Sequence, residues 1–454
     1  MGVHGTGGPG ASGHGAGGPH AGAPRAAGRG AAAPSVGVEE EFLLVDAVSG
    51  ECVPAAEKVL AAAGTHRWAG SGGSFQAELL TSQVEAATGV CRDLAGLGEQ
   101  LRFGRARLAA AAREHGALLV ASGTPVLDGP PPPPAPGDRF AAIMRAYGDV
   151  AEDYQACGCH VHVGVPDREA AVAVVNHLQP WLPVLLALSA NSPFDRGRPS
   201  GHAARRIAEM ARFPGAGVPP WSASAADWDA RVAALVEAGV LVDTAMTFWL
   251  ARPSARWPTV EVRAADAAAT ADEAVLQAAL VRGLVGAALA DLAAGREAPR
   301  ADAQVCAAAL WTAARHGLRG TLVDPVARRA VPAWRLVDDL VARAAPALAG
   351  TGDLGTVLAL LEALRGAGTG ADRQRRAARR GGPRAVVEML ARQTRSGGLA
   401  GPGGQPSGRP PGGPADAPPE PAPPPDETPG EKTGVWDARE RVPEPDATLT
   451  TEDT

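Results

Sequence analysis

The chain has 454 residues and a formal net charge of −6, and that charge is concentrated at its ends. Residues 401–454 carry 4 basic and 11 acidic side chains, while residues 1–34 carry Arg25 and Arg29 and no acid. The stretch between is close to neutral, which excludes the basic surface of a nucleic-acid binder, and five scattered cysteines exclude a disulfide framework.

In chain order, residues 1–34 are almost entirely Gly, Ala, Pro, His and Ser. Such a segment has too little apolar surface to offset its ordering entropy, so a disordered tail is expected. The opening residues lack the charged-then-apolar layout of a signal peptide, and a cytoplasmic location is expected. Extended segments follow at 35–46, 75–87, 117–124, 158–165, 244–251 and 258–266. Helical patterns separate them at 91–115, 138–151, 167–190, 227–238 and 272–294, several with an Asp placed to cap the first turn. The run 170–194 is uncharged but is interrupted by Asn176, His177, Gln179 and two prolines, so it reads as a buried helix, not a membrane span. Pro130–Pro134 marks a surface connection. From Ala301 to Gln393 the pattern is helical throughout, and residues 398–454 form a second, acidic Pro/Gly-rich tail. The expected organisation is an α+β domain over residues 35–397 with a helical C-terminal portion.

Three of the strands carry polar residues where a core strand would be apolar. Side chains alternate faces, so Glu39 and Glu41 share one face of the first strand and Glu40 takes the other. Two carboxylates on one buried face stay ionised only beside a cation, whereas on an edge strand they would be a solvated acidic stripe. His160 and His162 share a face with Gly158 and Gly164, opposite Cys157 and Cys159. The C-x-C spacing and that parity make zinc the weaker reading. Thr259, Glu261 and Arg263 share a third face, where the bland alternative is an ordinary surface ion pair. Carboxylates with one or two imidazoles suit Mg²⁺ or Mn²⁺, and Mg²⁺ implies a nucleotide. No G-x-x-x-x-G-K-[ST] loop is present, so metals and arginines must hold its phosphates.

GVEEEFLLVD (37–46), ELLTSQVEAATGVC (78–91), CGCHVHVGVPDREAAV (157–172), ANSPF (190–194), PTVEVRAAD (258–266) and GTGADRQRR (368–376) together resemble the glutamate–cysteine ligase type 2 family of carboxylate–amine ligases. The resemblance implies a glutamine-synthetase-like curved antiparallel sheet with surrounding helices. It also implies ATP and Mg²⁺ (or Mn²⁺) as cofactors, and glutamate-like acids with cysteine or another amine as substrates. The activity implied is ATP-dependent carbon–nitrogen bond formation through an acyl-phosphate. Nucleic acid and membrane are not expected partners; a homodimer is the candidate assembly. Carried over residue by residue, Glu39, Glu41, Glu78, Glu85, His160 and Glu261 look like metal ligands. His162 and Arg263 look like catalytic groups, and Arg263, Arg196 and Arg198 like phosphate or nucleotide contacts. Glu78 and Glu85 are seven apart, so both reach the metals only if the chain bends near Thr81-Ser82. Asp195, His202 and Arg205 stand where the family pattern has an aromatic and tyrosines, which points to that loop for substrate choice. Rival readings are a phosphotransferase acting on a guanidine, a non-catalytic binding homologue, and a zinc hydrolase.

Overall fold

A computed structural model describes residues 33–64 and 72–399. Its strands are β1 (Val36–Asp46), β2 (Ser74–Ala77), β3 (Gln83–Ala87), β4 (Ala117–Val120), β5 (Gly158–Gly164), β6 (Phe194–Asp195), β7 (Arg198–Pro199), β8 (Ala251–Pro253), β9 (Thr259–Asp266), β10 (Thr321–Asp324) and β11 (Arg329–Pro332). Seven of them make one antiparallel sheet in the order β2-β3-β1-β5-β9-β8, with β4 also paired to β1. Leu43 pairs with Gln83 on β3 and with Val120 on β4. β4 therefore lies on the same edge of β1 as β5 and continues that line.

The alternation on β1 decides the two sides of the sheet. Val36, Val38, Phe42 and Leu44 are buried under helices, while Glu39 and Glu41 point the other way. Glu40, with the helix-facing parity, is 1% exposed and meets the equally buried Arg105 of the helix Leu94–Glu114. The pair is bidentate at 2.5 and 2.9 Å, and Arg105 also donates to the carbonyl of Ala268 at 2.7 Å. An acid is tolerated in this core only because its charge and lone pairs are matched.

The helical layer is held by the same apolar faces. The helix Ala271–Ala293 begins with a reciprocal Thr270/Glu273 capping box and is buried over most of its length. It and the helical segment Arg168–Ser189 are long and apolar enough to cross a membrane, but 72% and 89% of their apolar windows lie inside the fold. Their hydrophobicity is used in packing, as expected for the second. Asp167 and Asp93 cap their helices through side-chain oxygens. Asp138, Asp227 and Asp272 lie within the first turn instead, the caps of the last two helices being Ser224 and Thr270.

Three expectations need correction. The segment 75–87 is a hairpin, β2 and β3, which reverses at Thr81-Ser82. Most of 244–251 is loop, and the edge strand β8 starts only at Ala251, where pairing to β9 becomes available. The helical C-terminal portion is interrupted by the hairpin β10–β11. There Asp324 accepts from the amides of Val326 and Ala327, each at 2.9 Å, the side-chain-made turn that an Asp-Pro sequence favours.

Candidate active site

The sheet face opposite Glu40 collects the ionisable residues by register. Glu41 pairs across to Glu85, Glu39 to His160, His162 to Glu261, and Glu261 to Arg252. Glu78, at the end of β2, joins them because the Thr81-Ser82 reversal folds β2 back along β3. Two triads of ligand atoms result, Glu39/His162/Glu261 and Glu41/Glu78/Glu85, each with its atoms within 4.8 Å of one another. His160 lies between them, 3.5 Å from Glu39 through Nδ1 and 3.5 Å from Glu41 through Nε2. The cavity above this face has a volume of about 220 Å³ and is also lined by Arg139, Arg206, Arg252 and Arg263. An aromatic wall of Tyr154, Phe213 and Phe248 closes one side, with Phe213 edge-on to Tyr154 at 4.8 Å and stacked on Phe248 at 4.3 Å.

Burial and mutual repulsion strain the second triad. Burial first, then the Glu41 charge, pushes Glu78 up to about 7. Burial and the charges of Glu39, Glu78 and Glu41 push Glu85 well above the usual carboxylate range. The first triad is balanced differently. Burial works against ionisation of Glu39, but hydrogen bonding to His160 and His162 outweighs it and holds Glu39 low. Glu261 is likewise held well below the usual range against burial, by Arg263 and Arg252. Arg252 grips it at 2.8 and 3.1 Å, and Arg263 donates to it at 2.5 Å. Burial and the Arg263 charge keep His160 neutral, the form a metal ligand needs.

The donor set fits a divalent cation. Five carboxylates and two imidazoles converge, and the buried Nε2 atoms of His160 and His162 stand 3.5 Å from Glu41 and 3.4 Å from Glu39. Glu78 and Glu85, the two acids raised by burial and crowding, become fully ionised at neutral pH only when a cation is shared among them. The cysteines take no part. Cys157 and Cys159 are buried on the other parity of β5, and burial raises both thiols well above their usual range.

Several sequence expectations about individual residues change. His162, expected as a catalytic group, belongs to a triad of candidate cation ligands with Glu39 and Glu261; His160 bridges the two triads. Arg196 and Arg198 do not line the cavity. Arg196 has φ 46° and turns onto Asp153, 2.9 Å from its carboxylate, while Arg198 is exposed on β7. The ANSPF loop serves as a brace. Asn191 donates to the carbonyls of Ala121 and Ala267, and Gln374, from the 368–376 motif, donates to Asn191 Oδ1 at 2.8 Å. Asp195 pairs with Arg205 at 3.3 Å, and Arg205 with Glu209 at 2.5 Å, so those charges already have partners.

Arg206, Arg252 and Asp266 escaped sequence reading. Arg252 lies just past the strand expected at 244–251, opposite Glu261 across the strand pair. Asp266 has the parity of Thr259's opposite face in a regular strand. However, the β5–β9 register slips by one residue between Cys159 and Val161, and Asp266 then pairs with Gly158, on the His160 side. A bulge of this kind re-aims a side chain and leaves no mark in the alternation.

A sheet of this connectivity, offering acids, imidazoles and arginines on one face, defines the ligase fold shared with two solved structures. Glutamate–cysteine ligase from Francisella tularensis in complex with AMP aligns with a TM-score of 0.61 at 13% identity, over 82% of this chain and 90% of that one. A bifunctional glutathione synthetase from Pasteurella multocida aligns at 0.60 and 16% identity, over 80% of this chain and 52% of that one. At such identities the likeness concerns fold. Sequence supplies the rest: residues 35–397 match glutamate-cysteine ligase family 2, and the chain belongs to that family. Among its relatives, "Putative glutamate--cysteine ligase 2-2" of Saccharopolyspora erythraea is 56% identical over 80% of this chain and 93% of that one. "Putative glutamate--cysteine ligase 2" of Salinispora arenicola is 48% identical over 80% and 96%. The chain is accordingly an ATP-dependent carbon–nitrogen ligase.

Proposed function

We propose that this enzyme joins the side-chain carboxylate of glutamate, or of a closely similar acid, to cysteine or another amine, with Mg²⁺ as the cation. The observation that carries the reading is one sheet face on which two triads of candidate cation ligands meet, beside a cavity of about 220 Å³ lined by Glu39, Glu41, Glu78, Glu85, His160 and four arginines. ATP brings about four negative charges, which repel an attacking carboxylate. Bound at the triads, Mg²⁺ would neutralise phosphate charge and hold the nucleotide in place.

The remaining work falls to the chain itself. Arg263 keeps one buried donor, Nε, with no hydrogen-bond partner among the described residues and suited to phosphoryl oxygens. Arg252, with its donors spent on Glu261 and on the carbonyls of Ala245 and Thr247, holds Glu261 in place. The acid's oxygen attacks the γ-phosphorus, an O–P bond forms and ADP leaves. The amine nitrogen then attacks the acyl carbon, the C–O bond to phosphate breaks, and the amide forms with loss of one proton. The wall of Tyr154, Phe213 and Phe248 excludes water from the acyl-phosphate, which would otherwise hydrolyse. Amino acids are thus the partners, and a cytoplasmic setting, where ATP is made and thiols stay reduced, suits five buried cysteines with no disulfide.

The test is phosphate release from ATP across a panel of amino acids, with mass detection of products. An amide of acid plus amine, with one phosphate per amide, is the expected outcome. A phosphorylated guanidine with no amide would favour the phosphotransferase instead.

A further inference from the structure

Buried arginines in this fold come with counter-charges. Arg105 is paired to Glu40, Arg282 to Asp353 at 3.0 Å, and Arg373 to Glu273 at 2.7 Å. Arg206, on the short helix Arg206–Met210, is an exception. It is 1% exposed and lines the active-site cavity, yet it makes no ion pair among the described residues. Its Nη1 donates to the carbonyl of Arg263 at 3.2 Å, and its Nε is buried with no hydrogen-bond partner.

The fold makes room for this guanidinium at some cost. A Cβ on Gly158 would stand 2.3 Å from Nη2, so the slot along β5 exists only because residue 158 has no side chain. The adjacent acid, Asp266, uses Oδ2 to accept from the Asn191 amide at 2.9 Å and the Ser192 hydroxyl at 2.7 Å, while its Oδ1 is buried without a hydrogen bond among the described residues; the Arg206 charge favours its ionised form, but the two make no direct ion pair. A guanidinium that has lost its hydration and has only an indirect counter-charge is destabilised, unless a ligand supplies an anion in contact.

We propose that Arg206 anchors a carboxylate of an amino-acid substrate, one that does not react, and so sets the orientation of the reacting end. The planar fork matches a carboxylate, and the neighbouring aromatic wall suits the hydrocarbon stem that carries one. Phosphate is the competing occupant, since Arg206 shares one cavity with the acidic residues and with Arg252 and Arg263, and the measurements below separate the two. The assignment rests on the ligase reading above, but its test does not depend on turnover alone.

R206Q and R206K would be compared with the unaltered enzyme using glutamate, glutamate α-amide, cysteine and cysteine amide. For the substrate whose carboxylate Arg206 holds, the unaltered enzyme favours acid over amide by about 100-fold in kcat/KM. R206Q loses most of that preference, losing rate on the acid and little on the amide, while KM for ATP stays within about twofold. R206K, keeping charge without the fork, retains part of the preference and serves alone if R206Q does not fold. Melting-temperature shifts induced by each acid and its amide report the same discrimination without catalysis, so an enzyme that binds glutamate through Arg206 but makes no amide would overturn the activity and leave the anchor standing. Equal losses on acid and amide, no difference between their melting shifts, or a rise in KM for ATP with discrimination intact would each overturn the proposal, the last by assigning Arg206 to a nucleotide phosphate.

Discussion

Three consecutive glutamates on β1 make opposite demands, and substitution separates them. Glu40→Gln leaves Arg105 charged, 1% exposed, and facing a neutral amide where it had a bidentate carboxylate. Breaking one partner of such a buried pair costs about 3–5 kcal/mol. At a urea m-value of about 3 kcal/mol/M, the unfolding midpoint falls by roughly 1–1.7 M. Arg105 also holds the carbonyls of Ala268 and Ala269, so the damage reaches the N-terminus of the helix Ala271–Ala293. Glu41→Gln behaves in the opposite way. It removes one of several crowded carboxylates, so the folded state without cation is unharmed or gains stability, while turnover falls by about 100-fold or more because a cation ligand is lost. Glu39→Gln loses turnover likewise but also some stability, because the histidine contacts that hold the Glu39 carboxyl low are lost. The assays are urea titration followed by circular dichroism and ATP-dependent amide formation well below each variant's midpoint. A Glu40→Gln midpoint within 0.3 M of the original, a shift of only about 1 kcal/mol, would refute the buried-pair argument. Full activity in Glu41→Gln would refute the assignment of faces.

Cation affinity should rise with pH through about 7, since the raised Glu78 and Glu85 carboxyls must lose their protons to join the triad; calorimetry in buffers of different ionisation heat should show proton release on binding that diminishes as pH rises. Arg196→Ala and Arg198→Ala should leave KM for ATP within about twofold, because neither side chain lines the cavity; a tenfold rise in either would return that residue to nucleotide binding. Cutting the chain to residues 33–399 should preserve melting temperature and activity, whereas cutting to 35–397 should lower the melting temperature, because Arg282 donates to the Pro34 carbonyl at 2.7 Å and the Leu399 amide donates to Asp272 at 3.2 Å. Equal melting points for the two truncations would show those contacts to be immaterial.

The sequence by itself determined the faces of β1 and β5 and the identity of the acids, because strand alternation is a local property of a chain whose partners need not be known. It placed Glu39, Glu41, His160, His162 and Glu261 on the strands that carry them, and it required the reversal at Thr81-Ser82 from the seven-residue spacing of Glu78 and Glu85. Which atoms meet was decided only by tertiary structure. The positions of the side-chain tips grouped the ligands as two triads, put His162 with Glu39 and Glu261, and set His160 between the two. A one-residue slip between β5 and β9 brought Asp266 to the site side, and a slot at Gly158 admitted Arg206. Arg196, read as a phosphate contact from its motif, was claimed by Asp153. Long charged side chains on loops take whatever counter-charge the fold brings within reach, and loop sequence alone does not specify which that is.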